Sequence, residues 1–186
     1  MTLDDLKATC ELCEKCGLHA QRTQVVFGVG DAQADILFVG EGPGKEEDAK
    51  GLPFVGAAGQ LLDLYLDAFD WSRSTVYIAN IVKCRPPNNR DPLPEEVEAC
   101  LPWLEQQIKL IAPKLIVCLG RIAASVLIKP DFRITREHGQ WFDRDGIPII
   151  ATLHPAALLR DPRRKVDSFE DFKIIQARHI ELTQHE

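Results

Sequence analysis

Short apolar runs alternate along this chain with segments whose hydrophobic positions recur every three to four residues, the pattern of strands and helices taking turns. Ile36-Leu37-Phe38-Val39 predicts a buried strand leading into a glycine-rich loop. A helix is expected over about 57–69, where Leu61, Leu62, Tyr65, Leu66 and Phe69 share one face. Val76-Tyr77-Ile78-Ala79 predicts a second strand, ending at Asn80. Pro94, Glu95 and Glu96 mark a helix start, because a first-turn N–H is dispensable and carboxylates favour the positive end of the dipole. That helix carries Cys100 inward and ends before Pro113. Leu115-Ile116-Val117-Cys118-Leu119 predicts a third strand, Gly120 to about Ile128 a short helix, and Ile147-Pro148-Ile149-Ile150-Ala151 a fourth strand. A last helix runs from about Asp167 to Thr183.

This alternation implies an α/β fold with a mainly parallel sheet. Ligands of open α/β sheets collect beyond the carboxyl ends of the strands. Here those ends are the glycine loop, Asn80 and the segment leading to His154. No repeat, low-complexity tract or linker interrupts the pattern, so a single domain over 1–186 is expected.

Hydrophobic residues make up 45% of the 186, enough for a core and too many for a disordered chain. No apolar run approaches the roughly 18 residues that cross a bilayer. The first residues, MTLDDLKATCELC, lack the apolar stretch of a signal peptide, so a cytoplasmic location without a membrane partner is expected. A net charge of -6 disfavours nonspecific coating of nucleic acid, which depends on neutralising phosphates. The acid is concentrated, however: residues 1–70 hold 5 basic and 13 acidic side chains, and the remainder hold 17 and 15. Basic residues gather at Lys83, Arg85 and Arg90 and again at Arg160, Arg163, Arg164 and Lys165.

In a reducing compartment, six cysteines point to metal ligands or buried thiols rather than disulfides. Cys13 and Cys16 stand two residues apart and can present two thiolates to one centre, with Cys84 and Cys100 as a wider pair on a loop and a helix. A structural zinc site generally uses two close-spaced knuckles, so an iron-sulfur group is preferred over zinc. Cys10 and Cys13 form an equally good pair by spacing, and Cys118 sits in an apolar strand as a core residue. The loop Gly40-Glu41-Gly42-Pro43-Gly44-Lys45-Glu46-Glu47-Asp48 is not a P-loop: its glycines enclose three residues rather than four, and Lys45 precedes a glutamate. Its carboxylates would repel a triphosphate, while its glycines let backbone approach a small planar ligand.

GEGPGKEEDAKGLPFVGAAGQLL, NIVKCRPPNNRDP and HPAALLR occur in this order. With the cysteines they resemble the iron-sulfur uracil-DNA glycosylases of family 4, from about Cys13 to Arg160. The resemblance implies a three-layer α/β/α fold around a central four-stranded, mainly parallel sheet. It implies a [4Fe-4S] cluster held near the N-terminus by Cys13, Cys16, Cys84 and Cys100, with no counterpart for Cys10 or Cys118. It also implies hydrolysis of the N-glycosidic bond of deoxyuridine in single- or double-stranded DNA, by a monomer acting in base excision repair.

Chemistry assigns expected roles to the matching residues. A base must leave the stack before its sugar carbon is attacked. Phe54 is then expected as an aromatic face and Asn80 as the reader of the Watson–Crick edge, donating to O4 and accepting from N3–H. His154 is expected to donate to uracil O2 as negative charge develops there. Leu158, Leu159 and Arg160 are expected to fill the vacated stack and meet phosphate. In the better-known glycosylases carrying GQDPYH an aspartate precedes the proline, but Gly42 stands there in this chain. Glu41 and Glu47 are therefore both candidates for orienting water, and Glu47 also for blocking the methyl of thymine. No motif holds a Schiff-base lysine, which implies a monofunctional enzyme.

Two other readings compete. A noncatalytic iron-sulfur module assisting a polymerase or replication protein would need the cysteines and the basic strip, but not Phe54, Asn80 and His154 at strand ends. The other is a relative that binds uracil tightly or covalently, and the covalent subgroup inserts a lysine- and arginine-rich segment with a histidine after the Asn80 strand. Here that stretch, Cys84-Arg85-Pro86-Pro87-Asn88-Asn89-Arg90, has no histidine.

Overall fold

The computed structural model describes residues 1–184, so the last two positions of the expected 1–186 domain lie outside the described residues. Six strands form one mixed sheet: β1 (Val29–Gly30), β2 (Ile36–Gly40), β3 (Tyr77–Asn80), β4 (Leu115–Leu119), β5 (Trp141–Arg144) and β6 (Ile147–Thr152). Their order is β1-β3-β2-β4-β6-β5. The four central strands are parallel, and both edge strands are antiparallel to their neighbours. The sheet is thus wider than the expected four strands, and the difference lies wholly at its edges. β1 has only two residues and β5 is only partly buried, so neither shows the continuous apolar run that marks a central strand. Asp145 and Gly146, both at positive φ, make the tight turn from β5 to β6, as an Asp-Gly pair does in hairpins.

Among the described residues eight α-helices accompany the sheet: α1 (Leu3–Glu11), α2 (Lys45–Lys50), α3 (Ala57–Ala68), α4 (Pro94–Ile111), α5 (Arg121–Leu127), α6 (Ile134–Glu137), α7 (Pro155–Arg160) and α8 (Lys165–Thr183). The four long or apolar ones, α3, α4, α5 and α8, fall within two residues of their predicted ends. α2, α6 and α7 have six residues or fewer, too short to display a helical period. α1 is announced instead by its cap, where the Thr2 hydroxyl accepts from Asp5 N–H at 3.2 Å and Thr2 N–H donates to the Asp5 carboxylate at 2.8 Å.

Alternating side chains along each central strand enter different cores. Leu37, Val39, Ile116 and Cys118 pack on one face with Cys10, Trp103, Leu104 and Ile108, beneath α1 and α4. Ile36, Phe38, Val117 and Leu119 pack on the other with Leu62, Leu66 and Phe172, beneath α3 and α8. Phe38 stacks at 6.0 Å from Phe172, centroid to centroid. Burial on both faces explains why these strands read as unbroken apolar runs. No helix among the described residues is long and apolar enough to cross a membrane.

Cys118 is fully buried in this framework, and burial pushes its thiol well above the ordinary range. Cys118→Ala should therefore lower unfolding stability by about 1–2 kcal/mol through the lost contact, measured by denaturant unfolding. A variant as stable as wild type would contradict a packing role for this thiol.

Candidate active site

Parallel pairing aligns the strand ends that carry the expected site. Gly40 is opposite Asn80 between β2 and β3, and Leu119 is opposite Thr152 between β4 and β6. The loops leaving these four strands open onto one cleft of about 650 Å³, whose walls include Glu41, Gly42, Phe54, Asn80, Gly120 and His154. The structure thereby brings together residues spread over more than half of the chain.

Phe54 is held in a strained backbone conformation, with φ 53° in the left-handed region that an aromatic residue rarely adopts. Three groups hold it there. Arg73 donates to the carbonyls of Pro53, at 2.8 Å, and of Phe54, while Asp63 accepts from its Nε at 2.7 Å. One oxygen of Glu47 accepts from the N–H groups of Val55 and Gly56, both at 3.0 Å. Gly59 passes so close that a Cβ would lie 1.7 Å from the Phe54 carbonyl oxygen. The result aims the ring into the cleft, where its centroid is 5.7 Å from that of His154.

Asn80 is 1% exposed, and its side-chain oxygen has no hydrogen-bond partner. A buried unsatisfied acceptor costs about 1–3 kcal/mol, which is the signature of a group kept for a ligand. The oxygen lies over Gly40, where a Cβ would stand 2.5 Å from it and 2.5 Å from the Phe54 ring.

His154 caps α7, its Nδ1 accepting from Ala156 N–H at 3.0 Å. An Nδ1 that accepts leaves the proton of the neutral ring on Nε2. Burial, with a smaller contribution from Arg160 and against the pull of Glu47, pushes its pKa down to about 4. At neutral pH this is an uncharged N–H donor. Gly120, at φ +94°, makes room for it: a Cβ there would be 2.8 Å from His154 Cβ. Glu41 shifts the opposite way, pushed up to about 7 by burial and by Asp91, with Arg121 opposing. Arg121 itself pairs with Asp91 at 2.8 Å.

Of the trio expected to face DNA, Leu158 is 1% exposed and packs in the core under α3, which removes it from the surface role. Leu159, 42% exposed, and Arg160 stand at the surface, and Arg160 lines the cleft. On the six-residue helix α7, successive side chains point in different directions, and only one of the paired leucines faces outward.

All six cysteines are free thiols. Cys10, Cys13, Cys16, Cys84 and Cys100 line a second hollow on the other side of Asn80's loop, together with Arg22, Lys83 and Trp103. Trp103 Nε1 donates to Cys13 Sγ at 3.4 Å, Arg22 to Cys84 Sγ at 3.6 Å, and Lys83 N–H to Cys100 Sγ at 3.2 Å. Such N–H···S contacts suit sulfurs that carry negative charge. Cys10, 1% exposed and pushed up to about 12 by burial, packs as a core thiol at the edge of this hollow. Among the described residues no three His, Cys, Asp or Glu side chains form a group that could hold a metal ion. The thiols ring a hollow rather than a point.

Sequence reasoning missed the supports. Arg73 lies in no motif, and Gly59, although inside the glycine-rich stretch, carries no mark of its contact with Phe54. Lys83 was legible only as part of a basic group, yet it is buried. Gly120 was read only as a helix start, although a glycine at a strand end beside a ligand cleft is itself a signal of close backbone approach.

A model of the uracil DNA glycosylase superfamily matches residues 27–176. The chain belongs to that superfamily, in its type-4 branch. It is 47% identical over 182 residues to a type-4 uracil-DNA glycosylase of Archaeoglobus fulgidus, a match covering 94% of this chain and 92% of that one. It is 49% identical over 151 residues to a type-4 uracil-DNA glycosylase of Thermotoga maritima, covering 80% and 79%. A DNA polymerase of Bacillus phage SP01 is 29% identical over 149 residues, covering 80% of this chain but 16% of that one.

The opposed shifts of His154 and Glu41 make a measurable pair. Folded His154 binds fewer protons than the unfolded chain between about pH 4 and 6.5, so it removes stability as pH falls through that window. Folded Glu41 binds more between about 4.5 and 7, so its contribution is lost as pH rises through that window. The two contributions oppose each other over nearly the same pH range, the one from partly exposed Glu41 weakened by solvent screening. Relative to wild type, denaturant unfolding of Glu41→Gln should show stability gained with rising pH, and His154→Gln stability lost. Parallel pH profiles for all three proteins would contradict this electrostatic picture.

Proposed function

We propose that this chain is a monofunctional uracil-DNA glycosylase, a single domain that hydrolyses the N-glycosidic bond of deoxyuridine and leaves an abasic site. The observation that carries the reading is the unpartnered oxygen of Asn80, buried beside the Phe54 ring and across the cleft from His154. Uracil extruded from DNA supplies what each group lacks. Its N3–H satisfies the Asn80 oxygen, its O4 accepts from the same amide, and its face lies on Phe54. Cytosine carries an acceptor at N3, which would oppose the Asn80 oxygen, and a donor in place of O4.

Bond cleavage leaves positive charge on the sugar and negative charge on the departing base. The neutral Nε2–H of His154 donates to uracil O2 as that charge grows, without the desolvation penalty of a buried imidazolium. Glu41 is the carboxylate assigned to the sugar side, where it steadies the cationic carbon and orients water once ionised. Gly42 lines the cleft beside it, and its missing side chain lets the loop pass close to Val82, whose Cγ2 a Cβ there would approach to 2.7 Å. Glu47 is assigned to fixing Phe54 and to closing the space a thymine methyl would need, because one of its oxygens already holds two N–H groups. Leu159 and Arg160 meet the DNA next to the vacated stack.

The four family cysteines fit a [4Fe-4S] cluster: they are free, they ring one hollow, and three of them accept N–H donors at sulfur. That hollow suits a multi-iron group better than one zinc ion. When bound, the cluster would cross-link the N-terminal segment, the loop after Asn80 and α4. The noncatalytic polymerase-associated reading gives no role to the Asn80 oxygen, the strained Phe54 or the neutral His154, and is disfavoured for that reason.

Duplex DNA with one U:G pair should release uracil when incubated with the protein and break at that position after alkali, whereas the matching C:G duplex should not. Asn80→Ala and His154→Ala should each lower kcat/KM by about 100-fold or more while unfolding stays within about 2 kcal/mol of wild type. Intact uracil DNA, with a known glycosylase active in the same buffer, would discard the assignment. Freshly purified protein should contain four irons and four sulfides per chain and show a broad visible absorption, both reduced in Cys84→Ser. Zinc at one per chain, with no visible band, would contradict the cluster.

A further inference from the structure

Lys83 is 1% exposed, one of the largest fully buried side chains among the described residues, and among those residues its ammonium has a carbonyl and an amide oxygen as hydrogen-bond partners and no carboxylate. Its ammonium donates to the backbone carbonyl of Asn80 at 2.9 Å and to Gln107 Oε1 at 2.6 Å, and it lies 5.9 Å from the centre of the Phe27 ring. Gln107, itself fully buried, is fixed the right way round because its Nε2 donates to the Phe27 carbonyl at 2.9 Å. The same Lys83 residue donates its backbone N–H to Cys100 Sγ and precedes Cys84. One side chain therefore lies between the cysteine hollow and the residue assigned to reading uracil.

A buried ammonium with only neutral acceptors is costly, and an ion in a protein interior is normally paired. The groups beside Lys83 that could carry negative charge are the sulfurs of the assigned cluster ligands: Cys84 and Cys100 line the same hollow, and Cys100 Sγ accepts its backbone N–H. A cluster held by four thiolates is anionic overall, and would supply at this spot the counter-charge that the protein side chains do not.

We infer that Lys83 is a positioning residue for base recognition: its ammonium balances the cluster's negative charge and, by clamping the Asn80 carbonyl, transmits the state of the cysteine hollow to the uracil reader. This rests on the function proposed above. It makes Asn80's placement depend on the cluster through one charge, rather than only through the general rigidity of the fold.

The test uses the iron-loaded holoprotein and reads two quantities besides turnover: affinity for free uracil by equilibrium binding, and the rate of iron loss to a chelator. Lys83→Met keeps length and packing but removes the charge. It should weaken uracil binding by about 10-fold and accelerate iron loss, with affinity for abasic DNA unchanged. Lys83→Arg, which keeps the charge, should restore iron retention to near the wild-type rate. Gln107→Leu leaves the cysteine loop untouched and should shift both quantities in the same direction as Lys83→Met, but less. Lys83→Met that changes one quantity and not the other, or neither, overturns the coupling. Should Lys83→Met fail to fold, Gln107→Leu with wild-type uracil affinity overturns it equally. Wild-type protein that binds no uracil would sink the proposed function itself, and this inference with it.

Discussion

The site depends on an absence, that of a side chain at Gly40. Parallel pairing sets this residue beside Asn80 at the ends of β2 and β3, and a single methyl there would collide with both the Asn80 oxygen and the Phe54 ring. Because the position is bare, an aromatic wall and a buried amide can meet over it. The rest of the constellation follows from that meeting. Phe54 reaches it only by adopting a left-handed backbone, which Arg73, Glu47 and Gly59 together enforce. Strain of this kind persists where surrounding contacts over-determine it.

Opposite that wall, the same constraint recurs at the end of β4. Gly120 makes room for His154, whose Nδ1 is taken up in capping α7, so the only proton of the neutral ring points elsewhere. Burial keeps the ring uncharged and keeps Glu41 partly protonated near neutrality. A cleft with a neutral donor on one side and a carboxylate on the other matches a reaction in which negative charge appears on the leaving base and positive charge on the sugar. Behind Asn80, Lys83 and Gln107 extend the polar network toward the cysteines and away from solvent. The membership of the chain in the uracil-DNA glycosylase superfamily and the chemistry of its cleft point the same way.

Much of this was legible before any coordinates. The central strands were plain because both of their faces are buried, and their ends marked the ligand-binding edge. Gly40, Asn80 and His154 stood at those ends. The edge strands were hidden because two residues, or a half-exposed four, make no apolar run. α7 was hidden by its length, and with it the inward turn of Leu158, which sequence order alone had grouped with Leu159. Arg73 was invisible for a different reason. Its work is to hold two carbonyls nineteen and twenty positions away, and long-range side-chain-to-backbone bonds leave no period or spacing to read. Lys83 was visible only as one of a basic group, because burial of a lysine is decided by tertiary packing, not by its neighbours in the chain.

The central claim is that the open oxygen of Asn80 is a uracil acceptor. A crystal structure of the protein with free uracil tests it most directly. The account predicts the base lying on the Phe54 ring, N3 within about 3 Å of Asn80 Oδ1 and O2 within about 3 Å of His154 Nε2. Uracil bound elsewhere, or in the cleft with the Asn80 oxygen still unpaired, would contradict it.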